Sequence, residues 1–377
     1  MRILHLGKYY PPERGGIESY TRALCEWTAT KGHAVGALVH QRPGTWQTSR
    51  ELIGGVEIRR AGCVGSIVYT PLSPVFPFEL SRALREFRPD ILHLHLPNPS
   101  CFAVLTSAGA RRLPWVVHWH SDIPADAPDW RLRAGYLAYR PLEQALLRKA
   151  RAVVATSQAY LDASTALAPW REKTRVIPLG AVDVESPATR PELWPDGAGL
   201  RLLAVGRLSH YKGFDVLVAA LASVPGVRLL LVGEGECAEE LRNSAGEHGV
   251  ADRIRLAGAL DEDTLLAAYA SADALVLPSI NRGEAFGLVL LEAMRARLPV
   301  IASAIPGSGV GEVVADGETG LLVAPGDAAL LAAAIVRMQD PELRRRLGTA
   351  GRARWEARFT LERSAQGWLA VYRDLLG

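Results

Sequence analysis

The chain has 377 residues and a formal net charge of +3, with 49% hydrophobic and 22% charged residues. These proportions exclude a disordered, collagen-like or fibrous protein, and the length favours two domains over one. No apolar run reaches the roughly eighteen residues of a membrane-spanning helix and no signal-peptide pattern is visible, so a soluble or peripheral cytoplasmic protein is expected.

The first half of the chain alternates short apolar runs with longer amphipathic segments. This is the pattern of a parallel sheet covered by helices. Strands are predicted at residues 2–7, 34–40, 91–95, 115–119, 152–156 and 175–178. Helices are predicted in the gaps, and those at residues 17–31 and 131–150 are long enough for right-handed crossovers.

The same pattern restarts in the second half. Strands are predicted at residues 201–206, 227–233, 253–258, 274–278, 299–302 and 320–323. The proline-rich residues 180–199 are typical of a linker, and residues 361–375 predict an amphipathic helix that must dock on one of the halves. The sequence therefore predicts an α/β chain of two Rossmann-like, doubly wound domains that face a cleft, with ligand-binding residues after the strands.

Charge is distributed unevenly between the halves. Residues 1–180 hold 23 Lys and Arg against 14 Asp and Glu, whereas residues 181–377 hold 20 against 26. A basic first half favours an anionic partner, such as a phosphate-bearing acceptor or an anionic membrane surface; solvated arginines are the alternative. The basic residues are scattered and match no reader motif, which disfavours nucleic acid.

Two glycines precede the first predicted helix. Gly15 and Gly16 would let a ligand approach the backbone N–H groups at the positive end of the helix dipole, which suits a phosphate or a sugar oxygen. The alternative is a helix start that only needs flexible residues. The segment matches neither the dinucleotide-binding motif nor the P-loop.

Two cations follow the first strand of the second half. Arg207 and Lys212 lie in a predicted loop at the carboxyl end of that strand. There they would hold a diphosphate and neutralise the charge that builds on it as it leaves. Surface cations are often merely solvated, so the position of the loop carries this interpretation.

Two carboxylates flank a helix predicted to begin near residue 286. Glu292 falls in an almost unbroken apolar stretch, where burial without a partner is costly. A ribose diol, or an ion pair with Arg295 or Arg297, would supply that partner. Glu284 in the preceding loop would accept sugar hydroxyls, and the backbone N–H groups that follow would cradle phosphate. Those N–H groups belong to Phe286, Gly287 and Leu288.

Two histidines lie at the end of the strand predicted at residues 115–119. His118 or His120 would hydrogen-bond or polarise a reacting group, because imidazole titrates near neutral pH; a histidine satisfied by backbone is the alternative. Four others are interpreted as structural or surface residues: His33, His40, His210 and His248.

No metal site is predicted. Asp261 and Asp263 form a DxD pattern, but acidic residues are favoured at the start of the helix predicted at residues 264–270, so capping explains them better. The glycine-rich residues 307–311 lack the context of a nucleotide loop and are expected to open a helix. Four cysteines without ligand spacing are predicted to be buried thiols: Cys25, Cys63, Cys101 and Cys237.

Together these segments resemble the retaining glycosyltransferases of family 4, which have the two-domain GT-B fold. The resemblance covers nearly the whole chain. It rests on Gly15-Gly16-Ile17-Glu18, His120-Ser121-Asp122, Gly206-Arg207-Leu208 with Lys212-Gly213, the E-x7-E pair Glu284 and Glu292, and Asp316-Gly317-Glu318-Thr319-Gly320-Leu321-Leu322-Val323.

The resemblance implies roles for individual residues. Arg207 and Lys212 would bind the donor diphosphate, Glu284 the transferred sugar and Glu292 the ribose. His120 would contact the donor sugar and, with Arg207, Lys212 and Glu284, form the catalytic set. Relatives often have threonine where His118 stands, so the choice between His118 and His120 stays open. Backbone or side-chain contacts to the donor are further implied at Gly15, Gly16, Leu260, Phe286, Gly287 and Leu288.

The resemblance also implies a division of labour. Residues 1–180 would form the acceptor-side domain, residues 181–359 the donor-binding domain, and the terminal helix at residues 360–377 would cross back to the first. Such transfers keep the anomeric configuration and need no metal or other cofactor beyond the sugar-nucleotide co-substrate. The leaving phosphate is thought to help deprotonate the acceptor on the same face.

Three segments resemble bacterial enzymes of lipopolysaccharide or exopolysaccharide synthesis, many of them mannosyltransferases that use GDP-mannose. They are Lys8-Tyr9-Tyr10-Pro11-Pro12, Trp119-His120-Ser121-Asp122-Ile123 and Arg282-Gly283-Glu284-Ala285-Phe286-Gly287. The expected acceptor is lipid-linked or an oligosaccharide at the inner membrane face, where basic residues in segments 76–88 and 130–151 would contact anionic lipid. The alternatives are a UDP-sugar-dependent transferase for glucose, galactose or GlcNAc, a sugar-nucleotide epimerase and a non-catalytic sugar-nucleotide-binding protein.

Overall fold

The computed structural model describes residues 1–13, 15–67, 70–123, 130–185 and 192–377. The chain divides into two compact units, Met1–Gly180 with Leu361–Gly377, and Ala181–Thr360. Each unit is built on a mainly parallel sheet, which confirms the predicted α/β class with two Rossmann-like units. Part of the predicted linker, residues 186–191, lies outside the described residues.

The first unit has an eight-stranded sheet. In chain order its elements are β1 (Arg2–Leu6), α1 (Gly16–Thr30), β2 (Ala34–His40), β3 (Ser49–Ile53), β4 (Val56–Ala61), β5 (Gly65–Ile67), β6 (Thr70–Leu72), α2 (Phe76–Phe87), β7 (Ile91–Leu96), α3 (Ala103–Thr106), β8 (Trp115–Trp119), α4 (Trp130–Lys149), β9 (Ala152–Ala155), α5 (Gln158–Ala163) and β10 (Thr174–Val176). The strand order is β10-β9-β8-β7-β1-β2-β4-β3, and only β3 pairs antiparallel. The strands β5 and β6 form a separate antiparallel pair.

The second unit has a six-stranded parallel sheet in the order β13-β12-β11-β14-β15-β16. Its elements are β11 (Leu200–Val205), α6 (Phe214–Ala222), β12 (Val227–Val232), α7 (Ala238–Glu247), β13 (Ile254–Gly258), α8 (Glu262–Ser271), β14 (Ala274–Leu277), α9 (Leu288–Arg295), β15 (Val300–Ser303), α10 (Val310–Val313), β16 (Gly320–Val323), α11 (Ala328–Arg337) and α12 (Pro341–Arg358). The last helix, α13 (Leu361–Leu376), belongs to the first unit.

Helix α13 packs against α1 through a buried polar and aromatic contact. The Trp368 indole N–H donates to the Tyr20 hydroxyl at 3.0 Å, and that hydroxyl lies 2.7 Å from Ser364 Oγ. Ser364 also donates to the Pro178 carbonyl at 2.6 Å. These bonds satisfy polar atoms that would otherwise be costly to bury, and they fix the register of α13 on the first unit.

The prediction that helices fill the gaps of the first half is wrong for residues 49–67 and 70–72. These residues contain the four strands β3 to β6. Strands β3 and β4 are joined by Gly54 and Gly55, which both have positive φ, 55° and 81°, as a tight two-residue hairpin turn requires. Strand β3 lies at the sheet edge and is largely exposed, so it lacks the apolar pattern that marks a buried strand.

Both sheets contain a topological switch point. In the first unit the chain builds outward in opposite directions from the neighbours β1 and β7, and in the second unit from β11 and β14. Open α/β sheets bind ligands at such points, outside the carboxyl ends of the strands. Among the residues described below, Lys212 and Glu284 follow β11 and β14, and His5, His93 and His95 lie on β1 and β7.

None of the described helices combines the length and the apolar character needed to span a membrane.

Candidate functional site

Lys212 and Glu284 form a buried ion pair at the switch point of the second unit. Lys212 lies in a 3₁₀ turn after β11, Glu284 lies in the loop after β14, and Nζ is 2.6 Å from Oε2. Ser279 Oγ donates to the same carboxylate oxygen at 2.9 Å. Burial alone would lower the pKa of Lys212, but the charge of Glu284 raises it above its ordinary value. Lys212 is therefore a cation at neutral pH, held beside an oxygen acceptor.

Close backbone contacts fix the loops that carry this pair. Gly213 has φ +63°, and a Cβ atom there would lie 2.3 Å from the Pro278 carbonyl oxygen. A Cβ atom on Gly233 would lie 1.9 Å from the Gly206 carbonyl oxygen. Only glycine permits these approaches, so the loop after β11 is held against the loops after β12 and β14.

Glu292 lies on α9, eight residues after Glu284 in the sequence. Its Oε2 accepts a hydrogen bond from the Tyr269 hydroxyl of α8 at 2.5 Å. Burial raises the pKa of Glu292, while the Tyr269 bond and the charges of Arg295 and Lys212 oppose that shift. The partner seen in the described residues is thus a tyrosine, not the arginine considered from sequence. No short-range pattern indicates Tyr269, because it lies on another helix.

The predicted start of α9 is two residues too early. Gly287 adopts the left-handed region at φ +82° and caps the helix, so the first helical residue is Leu288. Phe286 is buried before it. The glycine-rich loop at residues 307–311 supports this segment, since Ser308 Oγ donates to the Glu284 carbonyl at 2.5 Å, and a short helix opens at Val310 as predicted.

The remaining donor-side predictions lie at strand or helix ends. Arg207 is exposed in the loop after β11, and Leu260 is half-buried after β13. In the first unit, Gly15 precedes α1 and is half-buried, whereas Gly16 is its exposed first residue. The described geometry brings together Lys212, Glu284 and Ser279, and separately Glu292 and Tyr269.

Five histidines line one face of three neighbouring strands in the first unit. Side chains alternate across a strand, so the His-x-His spacing on β7 and at the end of β8 puts both imidazoles of each strand on one face. All five are buried, and the ring centroids of neighbouring members are 3.9 to 5.4 Å apart. The cluster consists of His5, His93, His95, His118 and His120.

Three of these histidines form a row of hydrogen-bonded rings. His120 Nε2 lies 2.9 Å from His95 Nδ1, and His95 Nε2 lies 3.1 Å from His5 Nδ1. Burial lowers the pKa of each ring, that of His95 to about 3, and neighbouring histidines lower those of His5 and His120 further. All three imidazoles are therefore neutral at physiological pH.

The other two histidines form a second row that ends on α13. His118 Nδ1 lies 3.4 Å from His93 Nε2, and His93 Nδ1 lies 2.6 Å from the Tyr372 hydroxyl. Trp368 covers both rings, with centroid distances of 4.3 Å to His93 and 4.6 Å to His118. Of the two predicted histidines, His118 lies within β8 under this tryptophan, whereas His120 follows the last residue of β8.

His5, His93 and His95 are not among the residues predicted from sequence. A signal for them exists, since two successive predicted strands each carry a His-x-His pattern at their carboxyl ends. Period-two spacing on adjacent strands would have placed four imidazoles on one face.

Several described residues have metal-binding potential. Ligand atoms lie within 4.8 Å of one another in His5, His93 and His95, in His95, His118 and His120, and in His210, Cys237 and Glu240. The last group was not expected from sequence spacing, although all four cysteines are buried free thiols as predicted. The DxD pattern caps α8 as predicted, because Asp261 accepts from the Thr264 N–H at 2.9 Å.

A further buried acidic group lies on α4. Glu143 is fully buried, and the Tyr136 hydroxyl donates to its Oε2 at 3.4 Å. Burial, reinforced by the charge of Asp122, raises the pKa of Glu143 to about 7. It is thus a carboxyl group that titrates near neutrality.

Comparison with known proteins gives consistent matches along the chain. Residues 15–180 match the family described as glycosyl transferase 4-like domain, and residues 188–354 match glycosyl transferases group 1. The chain is 32% identical to D-rhamnosyltransferase WbpZ of Pseudomonas aeruginosa, over 96% of this chain and 92% of that protein. It is 29% identical to O-antigen chain mannosyltransferase C of Escherichia coli, over 100% and 99% of the two chains.

Among solved structures, sucrose-phosphate synthase of Thermosynechococcus elongatus superposes with a TM-score of 0.81 at 27% identity, covering 99% of this chain and 98% of that one. The fold is therefore that of the GT-B glycosyltransferases. The chain belongs to the group 1 glycosyltransferases, with a glycosyltransferase 4-like first domain, which confirms the resemblance seen in the sequence.

Proposed function

We propose that this glycosyltransferase is a retaining, metal-independent enzyme that moves mannose from GDP-mannose to a lipid-linked or oligosaccharide acceptor in cell-surface polysaccharide synthesis. Two curated relatives support the sugar, since one is named a mannosyltransferase and the other a D-rhamnosyltransferase. D-Rhamnose is 6-deoxymannose, so both names refer to sugars of the manno configuration.

The observation that carries the proposal is the Lys212–Glu284 pair at the switch point of the second unit. A diphosphate and the hexose attached to it require a cation and a hydroxyl acceptor side by side, which this pair supplies. Lys212 and the exposed Arg207 would neutralise the charge that develops on the leaving diphosphate, the task that a divalent cation performs in other enzymes. Glu284 would accept hydroxyls of the transferred sugar.

The nucleoside would bind beside α9. A carboxylate can accept from both hydroxyls of a ribose, and the Tyr269 bond orients Glu292 for that contact. The N–H groups at the start of α9, from Phe286 to Leu288, would bind phosphate at the positive end of the helix dipole. Leu260, Gly15 and Gly16 remain predicted donor contacts.

In the proposed reaction the acceptor oxygen forms a bond to C1 of the sugar as the bond from C1 to the phosphate oxygen breaks. The acceptor proton passes to the leaving phosphate on the same face, which retains the anomeric configuration. The products are the glycosylated acceptor and the nucleoside diphosphate. His120 is the histidine proposed to contact the donor sugar, because it lies beyond the end of β8 and His118 is covered by Trp368.

Thermal shift measurements test the donor directly, because a ligand that binds only the folded state raises Tm. We expect GDP-mannose and GDP to raise Tm, with and without EDTA, more than UDP-glucose, UDP-galactose, UDP-GlcNAc or UDP. The variant Glu292→Gln should reduce the shift, whereas Glu262→Gln, at the exposed start of α8, should not. A rise in Tm with UDP ligands alone would rule out GDP-mannose as the donor. A rise in Tm that EDTA abolishes would rule out a metal-independent enzyme.

Product analysis separates the remaining alternatives. Conversion of the donor sugar without an acceptor would indicate an epimerase. Binding without any turnover over a panel of lipid-linked and oligosaccharide acceptors would indicate a sugar-nucleotide-binding protein. Transfer to one of these acceptors with retained configuration is the expected result.

The first unit, which is the proposed acceptor-side domain, is proposed to bind peripherally to an anionic membrane surface. A groove of about 400 Å³ at the amino end of β8 supports this, since it combines exposed cations with two leucines of α13. Its lining includes Arg111, Arg112, Lys149, Arg151, Leu375 and Leu376.

A further inference from the structure

The tautomers of the three histidines in the row that ends at His120 depend on one another. Three neutral imidazoles carry three N–H protons, and each of the two ring contacts uses one of them. One proton is left for one end of the row. The rings are therefore either all protonated at Nε2, with the free N–H on His5, or all protonated at Nδ1, with the free N–H on His120.

Both ends of this row are unsatisfied. Among the described residues, neither His120 Nδ1 nor His5 Nε2 has a hydrogen-bond partner, although both atoms are buried. An orphaned buried polar atom of this kind indicates a missing partner. His120 follows β8 at the carboxyl edge of the sheet, where ligands of such folds bind, so its Nδ1 is the end that a ligand would satisfy.

His120 therefore cannot change its tautomer alone. Each ring contact needs one donor and one acceptor nitrogen, so a change at His120 requires the same change at His95 and at His5.

We propose that His95 and His5 are positioning residues that fix the tautomer of His120, so that His120 Nδ1 presents one defined hydrogen-bonding role, donor or acceptor, to a hydroxyl of the bound sugar. The hydroxyl partner rests on the proposed function, whereas the coupling of the three tautomers does not. The second row differs at its α13 end, because the Tyr372 hydroxyl can either donate to or accept from His93 and so satisfies both tautomers.

Imidazole ¹⁵N NMR of the full chain tests the coupling without any substrate. In long-range ¹H–¹⁵N spectra of the ¹⁵N-histidine-labelled protein, we expect His5, His95 and His120 all to show the same tautomer, either Nε2–H or Nδ1–H. A different tautomer on one of them would overturn the proposal. So would release of a stoichiometric metal ion by EDTA with movement of these resonances, because the row would then be a metal site.

Two substitutions of His95 test the positioning role. Asn reaches about as far as the His95 Nδ1 that faces His120, whereas Gln reaches towards the Nε2 position that faces His5. We expect His95→Gln to lower kcat/KM about tenfold, the order of one lost hydrogen bond, and to give His120 a mixture of tautomers. His95→Asn should lose clearly less, because its side-chain amide can still hydrogen-bond to His120 Nε2.

His33→Gln, outside the cluster, is the control and should behave like the unsubstituted protein. Equal losses in both His95 variants with unchanged His120 tautomers would overturn the positioning role. If neither variant folds, the spectra of the unsubstituted chain still decide the coupling. A shared tautomer of the three rings in a protein that transfers no sugar would support the coupling and overturn the proposed function.

Discussion

Glu143 links the stability of the first unit to pH. Burial raises its pKa from the ordinary 4.5 to about 7, so the folded state binds this proton more tightly than the unfolded state. The resulting stabilisation is complete below pH 4.5 and is lost as the pH rises to about 7. The full shift corresponds to roughly 3 kcal/mol.

We therefore expect Glu143→Gln, which resembles the protonated carboxyl, to be more stable than the unsubstituted protein at pH 8 by up to roughly 3 kcal/mol. Near pH 4.5 the two proteins should be about equally stable. Urea unfolding at both pH values measures the difference. A difference that does not change with pH would show that Glu143 does not titrate in this way.

The Lys212–Glu284 pair predicts an asymmetry between single and double substitutions. Glu284→Ala leaves a buried ammonium group without its carboxylate, which should lower the free energy of unfolding by about 3 kcal/mol or more. Lys212→Met combined with Glu284→Leu removes both charges and should recover most of that loss. Neither protein should show the donor-induced rise in Tm.

Urea unfolding of the single and double variants tests this pair. A double variant as unstable as Glu284→Ala would mean that packing, and not the unpaired charge, dominates the loss.

The sequence predicts which residues belong to the site but not which residues they contact. Lys212, Glu284 and Glu292 are identified because they follow strands or interrupt an apolar run. Their contacts cannot be predicted, because Lys212 and Glu284 are 72 residues apart in the sequence and Tyr269 is 23 residues from Glu292. Such pairs form only when the sheet order brings two loops together.

At the scale of elements, buried strands and long helices are predicted to within one or two residues. Strand β7 is fully buried and apolar apart from its histidines, and it extends only one residue beyond its prediction. Strand β3 is missed because an exposed edge strand needs no apolar residues. The Gly54-Gly55 pair was the available signal, since such a turn typically joins two antiparallel strands.

The loop that connects β11 to α6 depends on a close approach at Gly213. Gly213→Ala should lower the free energy of unfolding by roughly 2 to 4 kcal/mol. The new Cβ would clash with the Pro278 carbonyl, and alanine would also be strained at this positive φ. Gly249→Ala is a matched control, with φ +65° against +63° and no atom within 4 Å of its Cβ. It should cost only the backbone strain, roughly 1 to 2 kcal/mol.

Chemical unfolding of both glycine variants separates contact from strain. Equal losses would mean that the Pro278 contact relaxes freely. A larger loss at Gly213 accompanied by weaker donor binding would show that the contact holds the Lys212 loop in place.

At the scale of the whole molecule, the excess of positive charge lies in the first unit. The arginines of α2 are partly neutralised, since Arg82 lies 3.6 Å from Glu79 and 3.4 Å from Glu86. The groove at the amino end of β8 gathers cations beside exposed leucine. The groove is therefore the better candidate for contact with anionic lipid.

Vesicle binding at low salt tests this assignment. We expect the triple variant Arg111→Glu, Arg112→Glu and Arg151→Glu to bind anionic vesicles much more weakly than the unsubstituted protein. The matched triple variant of α2 should lose less, and salt should weaken all binding. Equal binding of every variant, or equal binding to neutral vesicles, would remove the membrane proposal. The α2 variant carries glutamate at Arg82 and Arg85 and at Arg88, the residue that follows the helix.

The placement of α13 has a consequence for biosynthesis. The first unit is discontinuous in sequence, because it is completed by residues 361–377 after the whole of the second unit. On the ribosome, the second unit therefore has all of its chain available before the first unit does. Until α13 emerges, the rings of His93 and His118 lack the tryptophan that covers them. We therefore expect the nascent first unit to expose buried surface that a chaperone can bind.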